Sequence, residues 1–162
     1  MFIGRQQELA TLNRLYASDK FKLGVIYGRR RVGKTALISH FIKDKPAIYF
    51  MGVESNAKQN LDNFSHNIME FATGININTA FKSFQDSLEY VFQLSMSKRI
   101  ILAIDEYPYV ARASRSLAST LQMLIDKYKD TSKLMLILCG SSMSYMEDHV
   151  LAYKATLYGR ST

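Results

Sequence analysis

The sequence has little of what several classes of protein require. It contains a single cysteine, Cys139, so a disulfide framework is excluded and nothing in the chain requires an oxidising compartment. Its three histidines are scattered and form no cluster with the spacing of metal ligands. The longest aliphatic run, residues 134–139, is far too short to span a membrane, and no signal peptide is visible at the N-terminus. These absences predict a cytoplasmic protein with no membrane partner.

The charge balance is basic but does not by itself identify a partner. The chain carries a formal net charge of +7, which permits binding to nucleic acid. Three of the positive charges, on Arg29, Arg30 and Arg31, lie inside one short glycine-bounded segment, and the others are dispersed. The charge therefore permits nucleic acid as a partner without predicting it. The length of 162 residues, 48% of them hydrophobic, is that of one globular domain with a sizeable core.

Apolar runs and helical patterns alternate along the chain. Continuous apolar runs predict strands at residues 23–27, 47–51, 100–104 and 134–139. Apolar residues at helical spacing predict helices at residues 5–16, 36–42, 56–71, 80–94 and 117–128. Apolar strands separated by helices are typical of a parallel sheet covered on both faces. We therefore expect an α/β fold.

The most informative motif is the octapeptide GRRRVGKT at residues 28–35, which fits the phosphate-binding pattern G-x-x-x-x-G-K-S/T at every fixed position. It lies between a predicted strand and a predicted helix. Gly28 and Gly33 let the backbone bend and approach a phosphate closely. The N-terminus of the next helix presents N–H groups and a positive dipole end to an anion. The predicted nucleotide contacts are Gly28, Arg29, Arg30, Arg31, Val32, Gly33, Lys34, Thr35 and Ala36.

Two side chains of this motif have predicted roles of their own. Lys34 supplies a positive charge to the β- and γ-phosphates, and the Thr35 hydroxyl is a candidate ligand of Mg²⁺. ATP is favoured over GTP because the guanine-specific pattern N/T-K-x-D does not occur in the sequence.

A second motif, IILAIDEY at residues 100–107, fits the Walker B pattern of an apolar strand that ends in acidic residues. Asp105 is a candidate to hold Mg²⁺, usually through water, opposite Thr35. Glu106 is a candidate base that polarises the attacking water. The alternative is an ordinary strand that ends in two acidic residues, and the phosphate-binding motif upstream favours the functional interpretation.

The last predicted strand is followed by Gly140, Ser141 and Ser142. Because ligands bind outside the carboxyl ends of strands in open α/β sheets, Ser141 or Ser142 is a candidate sensor of the γ-phosphate. Capping of a helix that follows is an equally good interpretation of the two serines. Cys139 is predicted to be a small core residue.

Five segments in the right order resemble the archaeal ATPase family, which is related to the STAND and AAA+ ATPases. They are FIGRQQEL, YGRRRVGKT, ILAIDEYPYV, LCGSSMSYME and LYGR, at residues 2–9, 27–35, 101–110, 138–147 and 157–160. The resemblance covers the whole chain. It implies a P-loop NTPase fold of the AAA+ type, with three α/β/α layers and a mostly parallel sheet in the order 5-1-4-3-2, and it implies ATP and Mg²⁺ as cofactors.

The resemblance also implies roles for residues outside the two motifs. Ile3 and Gly4 match a segment that lies against the adenine in AAA+ relatives, so they become candidate base contacts. Arg160, in the LYGR match, becomes a γ-phosphate-sensing or finger arginine, acting within the chain or across a subunit boundary. The alternatives are a lead-in to the first helix and a surface arginine.

Members of the family continue beyond the YGR motif into a further strand, a helical lid or winged-helix region and often a nuclease-like domain. Because this chain ends at Thr162, we expect residues 1–162 to be an AAA+-like ATP-binding core without its fifth strand, lid or C-terminal domain. The first strand would then be an unpaired sheet edge, through which the chain could bind a protein partner or another copy of itself.

These observations predict ATP binding and Mg-dependent hydrolysis that drives a conformational switch, with Lys34, Glu106, Ser142 and Arg160 as catalytic residues. Two alternatives remain open: a nucleotide-binding interaction module with little turnover, and a P-loop kinase that acts on a small molecule. The kinase is the weaker alternative, because adjacent acidic residues suit activation of water and no arginine-rich lid is visible.

Overall fold

The fold alternates helices and strands as predicted, with one additional helix and one additional strand. The computed structural model describes residues 6–27, 33–76 and 79–141 in full and residues 156–158 as backbone. The helices are α1 (Gln6–Ala17), α2 (Lys34–Ile42), α3 (Ala57–Thr73), α4 (Phe84–Leu94), α5 (Tyr107–Ala113) and α6 (Leu117–Tyr128). The strands are β1 (Lys22–Tyr27), β2 (Ala47–Met51), β3 (Ile100–Asp105), β4 (Leu134–Gly140) and β5 (Thr156–Tyr158).

The five strands form one sheet in the order β2-β3-β4-β1-β5, and every neighbouring pair is parallel. Read from the other edge, this is the order 5-1-4-3-2 that the resemblance implies. A parallel pair needs a connection that leaves the sheet and returns, so helices come to lie on its faces.

The prediction that the fifth strand is missing is wrong. Gly24, Val25 and Ile26 of β1 pair in parallel with the three residues of β5. A strand of three residues, at 156–158, is too short to form a recognisable apolar run. The outer strands of the sheet are therefore β2 and β5, and β1 lies inside it. Because β1 is paired on both sides, it is not an open sheet edge through which two copies of the chain could associate.

Apolar side chains fill both faces of the sheet. On one face, side chains of β1 to β4, including Leu102 and Leu136, pack against α3, α4, α5 and α6. On the other face, Ile101 and Ile137 belong to a second core with α1 and α2. Successive residues of a strand alternate between the faces, and burial of both faces explains the continuous apolar runs. The predicted three-layer α/β fold is confirmed.

Polar caps set the ends of the helices on the larger face. The Asn56 side chain accepts the Gln59 N–H at the start of α3, and Gly74, at φ 74°, ends that helix. Ser83 is extended and its side chain accepts the Asp86 N–H, so α4 begins at Phe84 and not at residue 80 as predicted. Within the described part of the chain, none of the helices has the length and apolar character needed to cross a membrane.

The chain enters a further helix, α5, directly after β3. Pro108 lies in its first turn, where proline is tolerated because the first N–H groups of a helix have no partner within it. Tyr107 and Pro108 are both buried. Residues 107–109 therefore form the first turn of a helix and not a loop. A helix of seven residues is too short to be recognised from its periodicity.

Candidate functional site

The carboxyl ends of the strands bring predicted site residues to one edge of the sheet. Tyr27, which ends β1, is in register with Gly140, which ends β4, and Met51 of β2 is in register with Asp105 of β3. Strands β3 and β4 are neighbours. Strand β1 leads into the phosphate-binding motif, β3 ends in Asp105, and Ser141 follows β4. All three strands end at the same edge of the sheet.

Gly33 has a backbone conformation that suits glycine. Its φ of 79° and ψ of 26° lie in the left-handed region, which L side chains rarely adopt. Its carbonyl accepts the N–H of Leu37 at 2.9 Å. As the residue before α2, glycine has no side chain with which to cap the helix. Helix N-termini that bind anions use this arrangement.

Lys34 is the first residue of α2 and is buried, with 7% of its surface exposed. Cys139 is close by at the end of β4. Burial, and then the Asp105 carboxylate, raise the pKa of the Cys139 thiol well above its usual range, while the positive charge of Lys34 acts in the opposite direction. Cys139 is fully buried and remains a neutral thiol, so its predicted role as a core residue is confirmed.

Thr35 and Asp105 are in direct contact, although 70 positions separate them in the sequence. The Thr35 hydroxyl donates to Asp105 Oδ2 at 2.7 Å. The Glu106 N–H donates to the other carboxylate oxygen, Oδ1, at 2.9 Å. Because Asp105 is only 2% exposed, it depends on such donors in place of water, and they fix its orientation.

The oxygen atoms at this point fit a magnesium ion. Mg²⁺ prefers hard oxygen ligands and keeps several waters, so it needs only one or two protein side chains beside the phosphates of its substrate. Thr35 and Asp105 offer a hydroxyl and a carboxylate. Among the described residues, no group of three or more His, Cys, Asp or Glu side chains could hold a metal ion by itself. The site therefore suits a cation that binds together with a phosphate.

Glu106 has a strained backbone. Its φ of 54° and ψ of 42° are left-handed, and no other non-glycine residue of the described part of the chain has a positive φ. Its N–H donates to Asp105 Oδ1, and its carbonyl accepts the Tyr109 N–H at 3.1 Å. A left-handed residue other than glycine costs about 1–3 kcal/mol, and such residues concentrate at functional sites. Both hydrogen bonds hold Glu106 at the junction of β3 and α5.

The sequence and the fold both match known ATPase domains. Residues 2–162 match a family described as an ATPase domain predominantly from Archaea. The chain belongs to this family. A Walker-type ATPase of Pyrococcus abyssi aligns with 98% of the chain at a TM-score of 0.66 and 22% identity. Cdc6p from Pyrobaculum aerophilum aligns with 100% of it at a TM-score of 0.67 and 16% identity. The fold is that of Walker-type and AAA+ ATPases, as the resemblance implies.

The proteins that match almost the whole chain are longer than the chain itself. An uncharacterized protein of Methanocaldococcus jannaschii is 35% identical over 162 residues, which span 34% of that relative. The chain spans 51% of the Pyrococcus ATPase and 47% of the Pyrobaculum protein. Residues 2–162 therefore form an ATPase-family domain.

Tyr49 of β2 is a member of the site that the sequence analysis does not include. Its hydroxyl donates to Asp105 Oδ2 at 2.6 Å. Burial, and the hydrogen bond to Asp105, raise the pKa of Tyr49 far above its usual range, so the phenol stays protonated and remains a donor. Because Met51 is in register with Asp105, position 49 shares a sheet face with Asp105. Only knowledge of this register could have identified the tyrosine from the sequence.

Gly52 lies against the junction that holds Glu106. Its N–H donates to the Asp105 carbonyl at 2.8 Å. A Cβ at this position would lie 2.5 Å from Val110 Cγ2 and 2.7 Å from the Glu106 carbonyl oxygen. Real Cβ atoms do not approach other atoms this closely, so the segment after β2 packs against the start of α5 only because residue 52 is glycine.

We expect Gly52→Ala to displace Glu106 and to slow any nucleotide hydrolysis by this domain. Overpacking of this kind costs about 1–3 kcal/mol, and the Glu106 carbonyl cannot rotate away as a side chain could. Denaturant unfolding and the rate of phosphate release per folded chain measure the two effects.

The matched control is Gly74→Ala. Nothing lies within 4 Å of a Cβ at Gly74, so this variant bears only the left-handed strain, roughly 1–2 kcal/mol. Its rate per folded chain should stay at the wild-type value. Equal rates for the two variants would contradict a role of Gly52 in positioning Glu106.

Ala36 and Ser141 are the other predicted site residues in the described part of the chain. Ser141 is partly exposed after β4, and Ala36 is exposed in the first turn of α2. Nine predicted site residues lie outside the described part of the chain, and their roles stay predictions: Ile3, Gly4, Gly28, Arg29, Arg30, Arg31, Val32, Ser142 and Arg160.

Proposed function

We propose that this domain binds ATP at the carboxyl edge of its sheet, hydrolyses it with Mg²⁺, and uses hydrolysis to drive a conformational switch. The observation that carries the proposal is the 2.7 Å hydrogen bond from Thr35 to Asp105. It joins the phosphate-binding motif and the Walker B pattern at one point, as a metal–nucleotide site requires. Membership of an ATPase domain family supports the choice of nucleotide.

The phosphates of ATP are placed at the N-terminus of α2 in this proposal. The backbone amides after Gly33 and the ammonium group of Lys34 offset their negative charge. Residues 28–32 and Ala36 complete the phosphate contacts, and Ile3 and Gly4 contact the base. Residues 1–162 act together as the AAA+-like ATP-binding core.

Thr35 and Asp105 would hold the metal. Mg²⁺ would supply positive charge that offsets the negative charge developing on the phosphate during transfer. The Thr35 hydroxyl gives its proton to the hydrogen bond with Asp105 Oδ2, so an oxygen lone pair of the threonine is left to face a cation. Asp105 keeps this hydroxyl in that orientation.

Glu106 acts as the base for hydrolysis. Its carboxylate orients a water molecule and accepts its proton as the water oxygen attacks the γ-phosphorus. The bond from the γ-phosphorus to the bridging oxygen breaks, and ADP and inorganic phosphate are released. Ser142 and Arg160 sense the γ-phosphate in this scheme. The position of Glu106 beside Asp105, with its strained backbone, supports this role.

The junction at Glu106 supports a conformational switch. Glu106 is followed at once by α5, whose Tyr107 and Val110 are buried in the core. Helix α5 packs against α3 and α6. A change in Glu106 on loss of the γ-phosphate would therefore move a buried helix and its neighbours. Hydrogen exchange at residues 107–113 tests this, because protection must differ between ADP and a non-hydrolysable ATP analogue. Identical protection would contradict the switch.

Phosphate release without an added acceptor separates the possible functions. We expect release from ATP in Mg²⁺ and none in EDTA. ATP binding without release would favour the interaction module, and transfer that requires a small-molecule acceptor would favour the kinase. The control is Asp105→Asn, which should bind ATP in EDTA like wild type and lose the response to Mg²⁺. A Mg²⁺ response that survives in this variant would remove Asp105 from the metal site.

A further inference from the structure

We propose that Tyr49 is a positioning residue of the metal site: its hydroxyl fixes the Asp105 carboxylate in the orientation that receives Thr35 and serves the cation. The inference rests on the proposed function, because it assigns a role in a site for Mg²⁺ and ATP. It adds to that site a residue from strand β2, which neither the phosphate-binding motif nor the Walker B pattern includes.

Three donors converge on one buried carboxylate. Tyr49 and Thr35 donate to the same oxygen, Oδ2, at 2.6 and 2.7 Å, and the Glu106 N–H donates to Oδ1 at 2.9 Å. Each carboxylate oxygen has two acceptor positions. Oδ2 is therefore fully used by the two hydroxyls, and Oδ1 keeps one position beyond the amide. With the tyrosine hydroxyl in place, Oδ1 is therefore the oxygen of Asp105 that is left to accept from a water or to bind a cation.

Removal of the tyrosine hydroxyl would return a free acceptor position to Oδ2. The carboxylate could then turn about its side-chain torsion or offer either oxygen to a cation. Asp105 is 2% exposed, so water could not readily replace the lost donor. A donor behind a metal-binding carboxylate is a common feature of metal sites, and its loss typically weakens metal binding about 10- to 100-fold.

Tyr49 is itself held in place. Its backbone is in register with Ala103 on β3, and its carbonyl accepts the Asn67 side-chain N–H at 2.9 Å. The ring is partly buried in the core beneath α1 and α2. Because both the backbone and the ring of Tyr49 are held, its hydroxyl loses little conformational freedom when a cation binds. A positioning residue needs this property.

The test is Tyr49→Phe, in which ATP affinity is measured as a function of Mg²⁺ concentration and again in EDTA. We expect the Mg²⁺ concentration for half-maximal ATP binding to rise about tenfold or more. Affinity in EDTA should stay at the wild-type value. The rate of phosphate release should recover in part when Mg²⁺ is raised by the same factor, because the nucleotide contacts are intact.

The matched control is Tyr128→Phe. The Tyr128 hydroxyl also donates to a carboxylate, Glu89 Oε2, at 2.6 Å. That pair joins α4 and α6 on the other face of the sheet, so the same chemical change is made away from the predicted metal site. It should leave the Mg²⁺ response unchanged. Thermal unfolding of both variants measures the purely structural effect of losing the hydroxyl.

An unchanged Mg²⁺ response in a folded Tyr49→Phe protein would overturn the inference. If the melting temperature falls while the Mg²⁺ response is unchanged, the tyrosine hydroxyl has only a structural role. If that protein does not fold, Tyr49→Leu gives a second hydroxyl-free chain to which the same expectation applies. Wild-type protein that binds no ATP at any Mg²⁺ concentration would contradict the proposed function itself, and the inference with it. ATP binding by wild type with no change in either variant would overturn the inference alone.

Discussion

Lys34→Ala should lower the affinity for MgATP by about 10- to 150-fold. A hydrogen bond to a charged group contributes about 1.5–3 kcal/mol, and each 1.4 kcal/mol is a factor of ten. Lys34 opens α2 and is buried at 7% exposure, so its ammonium group works where water screens charge poorly. Removal of this ammonium group also lowers the positive charge that faces the triphosphate. Isothermal titration of both proteins with MgATP measures the loss.

Lys43→Ala is the matched control for this change. Lys43 is exposed and lies at the other end of the same nine-residue helix, roughly 13 Å away at 1.5 Å per residue. The two variants lose the same charge, so any general electrostatic effect appears in both. ATP affinity should be unchanged in Lys43→Ala. Wild-type affinity in Lys34→Ala would remove the 28–35 motif from the binding site.

Glu106→Gln should leave MgATP binding near the wild-type value and lower the rate of hydrolysis by about 10² to 10⁴. The amide has the shape of the carboxylate but cannot accept the proton of the attacking water. The left-handed backbone of Glu106 is held by main-chain hydrogen bonds to Asp105 and from Tyr109, which glutamine retains. Stability should therefore change little. Titration with ATP, thermal unfolding and phosphate release separate the three effects.

Glu70→Gln provides the control for the same chemical change. Glu70 is exposed near the C-terminal end of α3, far along the chain from the acidic pair. It should keep both binding and turnover. Turnover that survives in Glu106→Gln would exclude Glu106 as the base. Loss of ATP binding in that variant would instead assign its carboxylate to nucleotide affinity.

The central strands could be predicted from the sequence because both faces of the sheet are buried. Strand β3 is apolar up to Asp105, and β4 is apolar up to Gly140, so no alternation of polar and apolar residues obscures them. Helices α3 and α6 are long enough for their apolar stripes to be recognised. The boundaries were less accurate, as at α4, where the Ser83 cap sets the start.

The short elements could not be predicted. Helix α5 has seven residues and β5 has three, so neither shows a full period of its pattern. Strand β5 depends on pairing with β1, which is far away in the sequence. A missing fifth strand was expected because family members have a further strand after the YGR motif. In the structure, the fifth strand lies before the end of that motif, and its three residues, 156–158, pair with β1.

The predicted part of the site is the part that local motifs encode. Gly33, Lys34 and Thr35 are consecutive, and Asp105 and Glu106 follow an obvious strand. Their meeting at one edge follows from parallel strands, whose carboxyl ends lie together.

The members of the site that sequence reasoning missed act through tertiary contacts. Tyr49 depends on the register of β2 with β3, and Gly52 depends on the close approach of α5. An isolated tyrosine in an apolar strand, or a glycine after it, gives no local signal of either contact. Both residues come from β2 or the segment after it, and both act on the acidic pair.

Titration of the wild-type domain with MgATP tests the central claim most directly. The Thr35–Asp105 contact at the N-terminus of α2 predicts one ATP bound per chain, with weaker binding in EDTA. The absence of the N/T-K-x-D pattern predicts a preference for ATP over GTP. Absence of binding at millimolar MgATP would contradict an ATP site formed by these residues.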